Sequence, residues 1–356
     1  MTDCRPDHRG APTNPDGRFE RRQRFAVDDG WWQDDDLPPL RTTVGSDSAR
    51  TIITRNDSPD IPFEQSINPY RGCEHGCIYC YARPSHAYLG LSAGLDFETR
   101  LYAKPNAASL LEAELRRPGY RCRTIAIGTN TDAYQPIERS RKIMRGIIEV
   151  LAAFRHPVTI TTKSALIVRD IDLLAPMATL DLVGVAVSLT TLDREMAAIL
   201  EPRAAVPAKR LEAIRHLSEA GIPTMVNVAP VIPALTDHEM EDILAAAADH
   251  GVAAASWILL RLPHEVKDLF DQWLARHVPD RRRHVLSLMR QSRQGKLNDP
   301  RFGHRFSGTG AYADLLETRF RLACRRLGLD RQPHRSLRDD LFTPPARPGD
   351  QLTLSL

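Results

Sequence analysis

The chain has 356 residues, 42% of them hydrophobic and 26% charged, with a formal net charge of +3. This length can bury a large core, and the composition is ordinary for a globular protein rather than a collagenous, low-complexity or wholly disordered one. No apolar run approaches the ~20 residues that cross a bilayer, and the opening MTDCRPDHRGAPTNPDG lacks the apolar centre of a signal peptide, so a cytoplasmic protein without membrane contact is expected.

Residues 1–60 are rich in Arg, Asp, Gly and Pro and show little periodicity. They read as a flexible, mostly disordered N-terminal extension, with Trp31 and Trp32 as its candidates for docking on the folded part.

From residue 61 to 278 the rhythm changes. The β-prone runs TIAIG, VTITT, LVGVAVS, TMVNVAP and SWILL alternate with helical patterns, and Gly221 and Gly251 stand where helices should stop. With SINPY as a first strand, the count is six βα units, which predicts a parallel sheet with right-handed crossovers. No G-x-G-x-x-G follows the first strand, so an open, partial (βα)6 barrel of the TIM type fits better than a doubly wound sheet. Its site then lies at the C-terminal strand ends. Those ends are polar: GTNTDAYQPIE, TTKS, SLTTLD, APVIPALTD and LRLP. Each alone is explained as a helix cap, but five in succession argue for one convergent site.

The first βα turn carries cysteines instead of glycines. NPYRGCEHGCIYCYARP holds Cys73, Cys77 and Cys80, spaced C-x3-C-x2-C, while Cys4, Cys122 and Cys324 are scattered. This is no disulfide framework. Structural zinc closes with four ligands, and His75 or His86 would have to be the fourth. His75 lies between two of the thiols, which is poor geometry. A three-thiolate catalytic zinc, or a zinc-stabilised nucleic-acid-binding module without catalysis, remains an alternative. A [4Fe–4S] cube held by three thiolates keeps one iron open for a substrate or cofactor, and explains the missing fourth ligand better.

The loop C-x3-C-x-aromatic-C, with Tyr79 as the aromatic, resembles the signature of the radical S-adenosylmethionine (SAM) superfamily. YRGCEHGCIYCYARP, IGTNTDAYQPIE, TTKS, SLTTLD and APVIP resemble its spore photoproduct lyase-like branch and the bacterial relatives loosely called DNA repair photolyases. The resemblance implies that Cys73, Cys77 and Cys80 ligate the cluster and that the open iron chelates SAM. Reductive cleavage of SAM then yields a 5′-deoxyadenosyl radical. It also implies that Tyr79 flanks the adenine, that Thr129 and Asn130 serve the methionine amino group, and that Lys163 and Ser188, with Arg203 as a further candidate, serve its carboxylate. Arg71 and His75 are candidates for tuning the cluster. A reductant protein such as a flavodoxin or ferredoxin is an implied partner.

One departure concerns the reaction. The lyase places a hydrogen-donating cysteine at the end of the second strand, where this chain has Gly128, while Cys122 stands at the strand's start. Tyr134 and Asp132 are the remaining catalytic candidates. Packing is the favoured explanation of Tyr134, and a helix-start role explains Asp132 and Glu138 equally with one facing the substrate.

Residues 279–340 read as a basic helical segment with two helices, 279–296 and 311–328, around a loop with Gly303, Gly308 and Gly310. Residues 341–356 are a tail. The arginine-rich stretch, densest at Arg281, Arg282 and Arg283, reads either as a solvated surface or as a nucleic-acid footprint. Radical repair or modification of nucleic acid is the leading expectation, and radical modification of a protein or small metabolite the rival.

Overall fold

The computed structural model describes residues 9–20, 40–329 and 337–346. Six strands form a parallel sheet in chain order: β3 (Gln65–Ile67), β6 (Ile125–Ile127), β7 (Val158–Thr162), β8 (Val183–Leu189), β9 (Thr224–Val231) and β10 (Ala254–Leu259). Each pairs in parallel with the next. An unbroken order puts every crossover helix on the same face, so the sheet curls into a partial barrel and has no switch point. The expected (βα)6 architecture is the one observed.

Four strands were not legible as such. β2 (Ile53–Arg55) extends the sheet antiparallel to β3. β4 (Tyr70–Arg71), β5 (Arg100–Ala103) and β1 (Thr43–Ser46) form a small separate sheet beside the cysteine loop. The run SINPY therefore divides between two sheets.

Burial alternates along the strands as the pleat demands. Val158 and Ile160, Val183, Val185 and Val187, and Val226 and Val228 are buried in the core cluster. That cluster also holds Ile147, Ile148 and Leu151 of α4 (Ile143–Ala153) and Ile243, Leu244 and Ala247 of α8 (Met240–Asp249). The intervening positions, Thr159, Thr161, Gly184, Ala186 and Asn227, are small or polar and only half-buried. The inner face of the barrel is thus lined without filling it.

The outer helices follow the predicted runs with local exceptions. The helix after β6 breaks at Lys142, whose φ of 51° separates α3 (Glu138–Arg141) from α4. α5 (Ile171–Ala178) is preceded by a 3-10 turn over Ala165–Asp170, capped by Ser164. α6 (Arg194–Leu200) is capped by Asp193, whose carboxylate accepts from the N–H groups of Glu195 and Met196. α7 (Pro207–Glu219), α9 (Val266–His277), α10 (Pro279–Gln291) and α11 (Ala311–Leu327) complete the shell, with α1 (Leu95–Thr99) and α2 (Ala107–Leu115) between β4 and β6. Among the described residues no helix is long and apolar enough to cross a membrane.

The N-terminal extension needs a correction. Residues 9–20 and 40–60 lie on the barrel, tied to it by Arg9, Gly10, Ala11 and Asn14 and by the two strands β1 and β2. Their composition offers few apolar side chains, and hydrogen bonds replace apolar burial in holding them. Cys4, Trp31 and Trp32 lie outside the described residues. At the other terminus, residues 338–345 dock against the barrel's N-terminal end. Phe342 packs on Tyr120, Phe154 and His156 with ring centroids 5.4, 6.3 and 5.5 Å apart.

Candidate functional site

The cysteine loop sits above the C-terminal end of β3, and its backbone is held by the side chains of Gln135 and Arg83 and by the backbone of Leu200 and Arg203. Gln135 accepts from Glu74 N–H at 2.8 Å and donates to the Gly72 carbonyl at 3.2 Å. Ile78 N–H donates to Leu200 at 3.1 Å, and Arg203 N–H to the His75 carbonyl at 3.2 Å. The fully buried Arg83 donates to the carbonyls of Cys77 at 2.9 Å and Gly76 at 3.0 Å, and pairs with the equally buried Glu98. A guanidinium with five donors suits a loop whose carbonyls point inward.

Cys73 and Cys77 are buried, Cys80 is half-buried, and all three are free thiols. Burial raises the pKa of each, with Asp132 adding to the effect at Cys73 and Glu201 at Cys77. Among the described residues no three Cys, His, Asp or Glu side chains close around one metal-ion position. A cube is different, because three thiolates bind three separate irons, and the donor set present fits that group. His75 and His86 are engaged elsewhere. His75 Nδ1 lies 3.4 Å from Asp132, and His86 Nε2 donates to the Arg100 carbonyl at 2.9 Å.

The strand ends do converge. Lys163, at the end of β7, reaches across β8 to β9: Nζ lies 3.1 Å from Glu201, 3.2 Å from Thr190 Oγ1 and 3.0 Å from the Ala229 carbonyl. The same ammonium stands 5.7 Å from the centre of the Tyr79 ring. The Tyr79 hydroxyl donates to Glu201 and lies 3.1 Å from Thr190 Oγ1. Burial, then the Glu201 charge, pushes its pKa well up. Ser188 pairs in register with Asn227, and its carbonyl accepts from Arg210 at 3.0 Å. Lys163 and Tyr79 are therefore neighbours, and Ser188 is linked to them through Arg210, which also pairs with Glu201.

Glu201 is the hub that sequence reasoning missed. It is 3% exposed and receives Tyr79, Thr190, Lys163 and the buried Arg210. Burial alone would raise its pKa, but Arg210 and Lys163 outweigh that and hold it well below the usual carboxylate range. Glu201 stands two residues before the candidate Arg203, with only Pro202 between them. Arg203 itself pairs with Glu74 at 2.6 Å, away from Lys163.

Asp132 is a brace between strand end and loop. It accepts from Thr162 Oγ1 at 2.8 Å, Lys163 N–H at 2.7 Å and Tyr134 N–H at 2.9 Å, and faces His75. Tyr134 has no exposed surface and bonds Asp170 at 3.1 Å within the core. Glu138 accepts from Tyr70, from Met144 N–H at 3.1 Å and from Arg169 at 2.8 Å, which is a helix-start role. Arg71 is turned outward to Asp47 at 2.7 Å, away from any cluster-tuning position.

Thr129 and Asn130 lie beside the loop: the Thr129 carbonyl accepts from Tyr81, and Asn130 N–H donates to Asn68 at 3.1 Å. Gly128 has φ of +84°, and a Cβ there would stand 2.0 Å from the Thr161 carbonyl oxygen. No side chain fits there unless the neighbouring strand shifts, which suits the position to glycine alone. Cys122, before β6, is at the opposite barrel end from the loop.

At the mouth, arginines and aromatic rings interleave. Arg261 lies 5.0 Å from the ring centre of Tyr81 and 5.4 Å from that of Phe306, with its Nε buried and unpartnered. Arg305 lies 4.9 Å from both Phe302 and Phe306 and pairs with Asp60. Gly308 and Gly310 serve turns here, at φ of +78° and +90°.

In solved structures the fold is that of spore photoproduct lyase. Its complex with dinucleoside spore photoproduct superposes with a TM-score of 0.58 over 80% of each chain at 18% identity. An uncharacterised protein of Mycobacterium bovis is 42% identical over 222 residues, 62% of this chain and 65% of the relative, so this chain spans just under two thirds of that protein's length. An uncharacterised protein of Methanocaldococcus jannaschii is 29% identical over 173 residues, 49% of this chain and 62% of that one. Residues 67–247, half of the chain and the span from the first strand to the helix after the fifth, match the model of the Radical SAM superfamily. The chain therefore belongs to the radical SAM superfamily.

Proposed function

We propose that Cys73, Cys77 and Cys80 hold a [4Fe–4S] cluster with one open iron, and that this chain uses SAM there to modify or repair a nucleic acid. The observation that carries the reading is the convergence of Lys163, Tyr79 and Glu201 at a loop of three free thiols. When bound, cluster and SAM together supply a 5′-deoxyadenosyl radical that takes a hydrogen atom from the substrate.

The chain's own residues bind and position. Lys163 offers its ammonium to the carboxylate of SAM, sharing it with Glu201. Tyr79, its hydroxyl pinned, presents a fixed ring edge to the adenine. Thr129 and Asn130 contribute backbone groups at the second strand end. A flavodoxin- or ferredoxin-like reductant is part of the same reading. Gly128 leaves no room for a donor thiol, so the final hydrogen return differs from that expected of a cysteine at this site.

The substrate class is supported by the Arg261–Tyr81–Phe306–Arg305 stack. Guanidinium planes and rings take unstacked bases between them, and the spare charge suits phosphate. The basic helix α10 adds to this. Arg282 is held by Asp271 at 2.6 Å, whereas Arg281 and Arg283 have no carboxylate partner among the described residues. The test uses reduced, iron-loaded protein with SAM and single- or double-stranded nucleic acid, following deuterium from labelled substrate into 5′-deoxyadenosine. Binding should weaken with salt, and changing Arg281, Arg282 and Arg283 together to Ser should flatten the logarithmic slope by about 2. No binding to either form at ~50 mM salt would move the substrate to a protein or small metabolite.

A further inference from the structure

Residues 9–20 cross the outer side of the cysteine loop, and the contacts are close. A Cβ on Gly10 would stand 1.7 Å from the carbonyl oxygen of Gly76, which lies between Cys73 and Cys77. Further along, Gly94 meets the Thr13 carbonyl in the same way, at 2.1 Å. The fully buried Glu98 is the anchor. Its Oε2 accepts from Gly10 N–H at 2.9 Å, its Oε1 from Ala11 N–H at 2.8 Å, and the same carboxylate pairs with Arg83. Arg83 in turn holds the carbonyls of Gly76 and Cys77. One carboxylate thus joins the N-terminal segment to the loop. Ala11 shares an apolar cluster with Cys77, Ile78 and Tyr79. Arg9 ties the segment to the carbonyls of Glu98 and Leu40 and to Thr42. Asn14 and Asp96 exchange two hydrogen bonds, and Arg18 reaches Pro84.

We infer that residues 9–20 are a clasp of the cluster loop, which keeps the three thiols in ligating position and closed to small reagents. The inference rests on the reading of those thiols as cluster ligands. A segment poor in apolar side chains adds little to the barrel's core, and its bonds converge on the loop and its α1 support. The clasp acts by lowering the population of open loop, from which iron and thiols exchange with solvent.

The test compares the wild-type chain with Gly10→Val, which cannot approach Gly76, and with Arg9→Ala, which removes three tethers. In iron-loaded protein, release of iron to a ferrous chelator should be at least about tenfold faster in both variants, as expected from losing hydrogen bonds to a charged partner. In metal-free protein, alkylation of Cys73, Cys77 and Cys80 by N-ethylmaleimide, read per residue by mass spectrometry, should accelerate similarly, while Cys122 serves as an unchanged control. Thermal unfolding of the metal-free protein should keep one transition near its wild-type position. A wild-type chain that takes up no iron would defeat the cluster reading and leave the clasp to the alkylation result alone. Equal rates in both assays, or global unfolding of both variants, would overturn the clasp.

Discussion

The two ends of the barrel are closed by different chemistry. At the C-terminal end, the lids are charged groups buried against one another, Glu201 with Arg210 and Lys163 and Glu98 with Arg83, and Asp132 faces the buried His75, whose pKa burial lowers. At the N-terminal end the closure is aromatic, with Phe342 laid on Tyr120, Phe154 and His156 and two backbone bonds, Thr343 to Phe154 and Arg338 to Asp181, each 3.0 Å. An apolar closure tolerates trimming, because losing contacts costs in proportion to area. A buried charge cluster does not, because each deletion strands a partner. The end proposed to hold the cofactor is built from the intolerant kind.

The sharpest way to break this contrast is Glu201→Ala. It leaves Arg210, which is 1% exposed, without its carboxylate, and should cost about 3–5 kcal/mol in urea unfolding of the metal-free protein. Lys163→Met leaves the Glu201–Arg210 pair in place. It should cost much less stability while weakening SAM binding roughly tenfold to a hundredfold by calorimetry. Equal stability losses for the two would mean that Glu201 is no hub.

The next effect lies at the other end and depends on pH. Burial pushes the His156 pKa down to about 4, against the bond its ring makes to the Pro157 carbonyl. In the unfolded chain it titrates near ~6.5. Between these values the unfolded state binds a proton that the folded state refuses, so stability falls as pH drops from about 6.5 to about 4 and then levels. The contribution is about 3 kcal/mol at most. His156→Gln should remove that part of the slope in thermal unfolding followed across this window. A slope identical to wild type would assign the acid sensitivity elsewhere.

The smallest effect expected is Phe342→Ala. The ring is half-buried, so about 1–2 kcal/mol should be lost. Iron content and SAM binding should not change, since the substitution is at the far end. A loss of iron would mean that the two ends are coupled.

The parts legible in the sequence were those with a period or a spacing. The six barrel strands announce themselves by alternation with helical runs, and the cysteine loop by its spacing and its aromatic residue. Lys163 and Ser188 stand at strand ends, and Tyr79 is the aromatic residue of the cysteine motif, so these positions are legible in the sequence. What stayed hidden are pairings between distant residues. Glu98 meets Gly10 across 88 positions, and Tyr79 meets Glu201 across 122. No local pattern encodes such a partner. The extension misled for a related reason: Gly, Pro and Arg signal disorder when apolar burial is the measure, yet residues 9–20 are held by hydrogen bonds to a buried carboxylate. The split at Lys142 rests on a left-handed residue that periodicity does not register.

The central claim is that three thiols at the intolerant end hold a cluster able to cleave SAM. The most direct measurement is anaerobic reductive cleavage of SAM by the reconstituted chain, read as 5′-deoxyadenosine and methionine alongside iron content. The account predicts about four irons per chain and cleavage by wild type and Cys122→Ala, with both lost in Cys73→Ala, Cys77→Ala and Cys80→Ala. Cleavage at the wild-type rate by Cys77→Ala would contradict it.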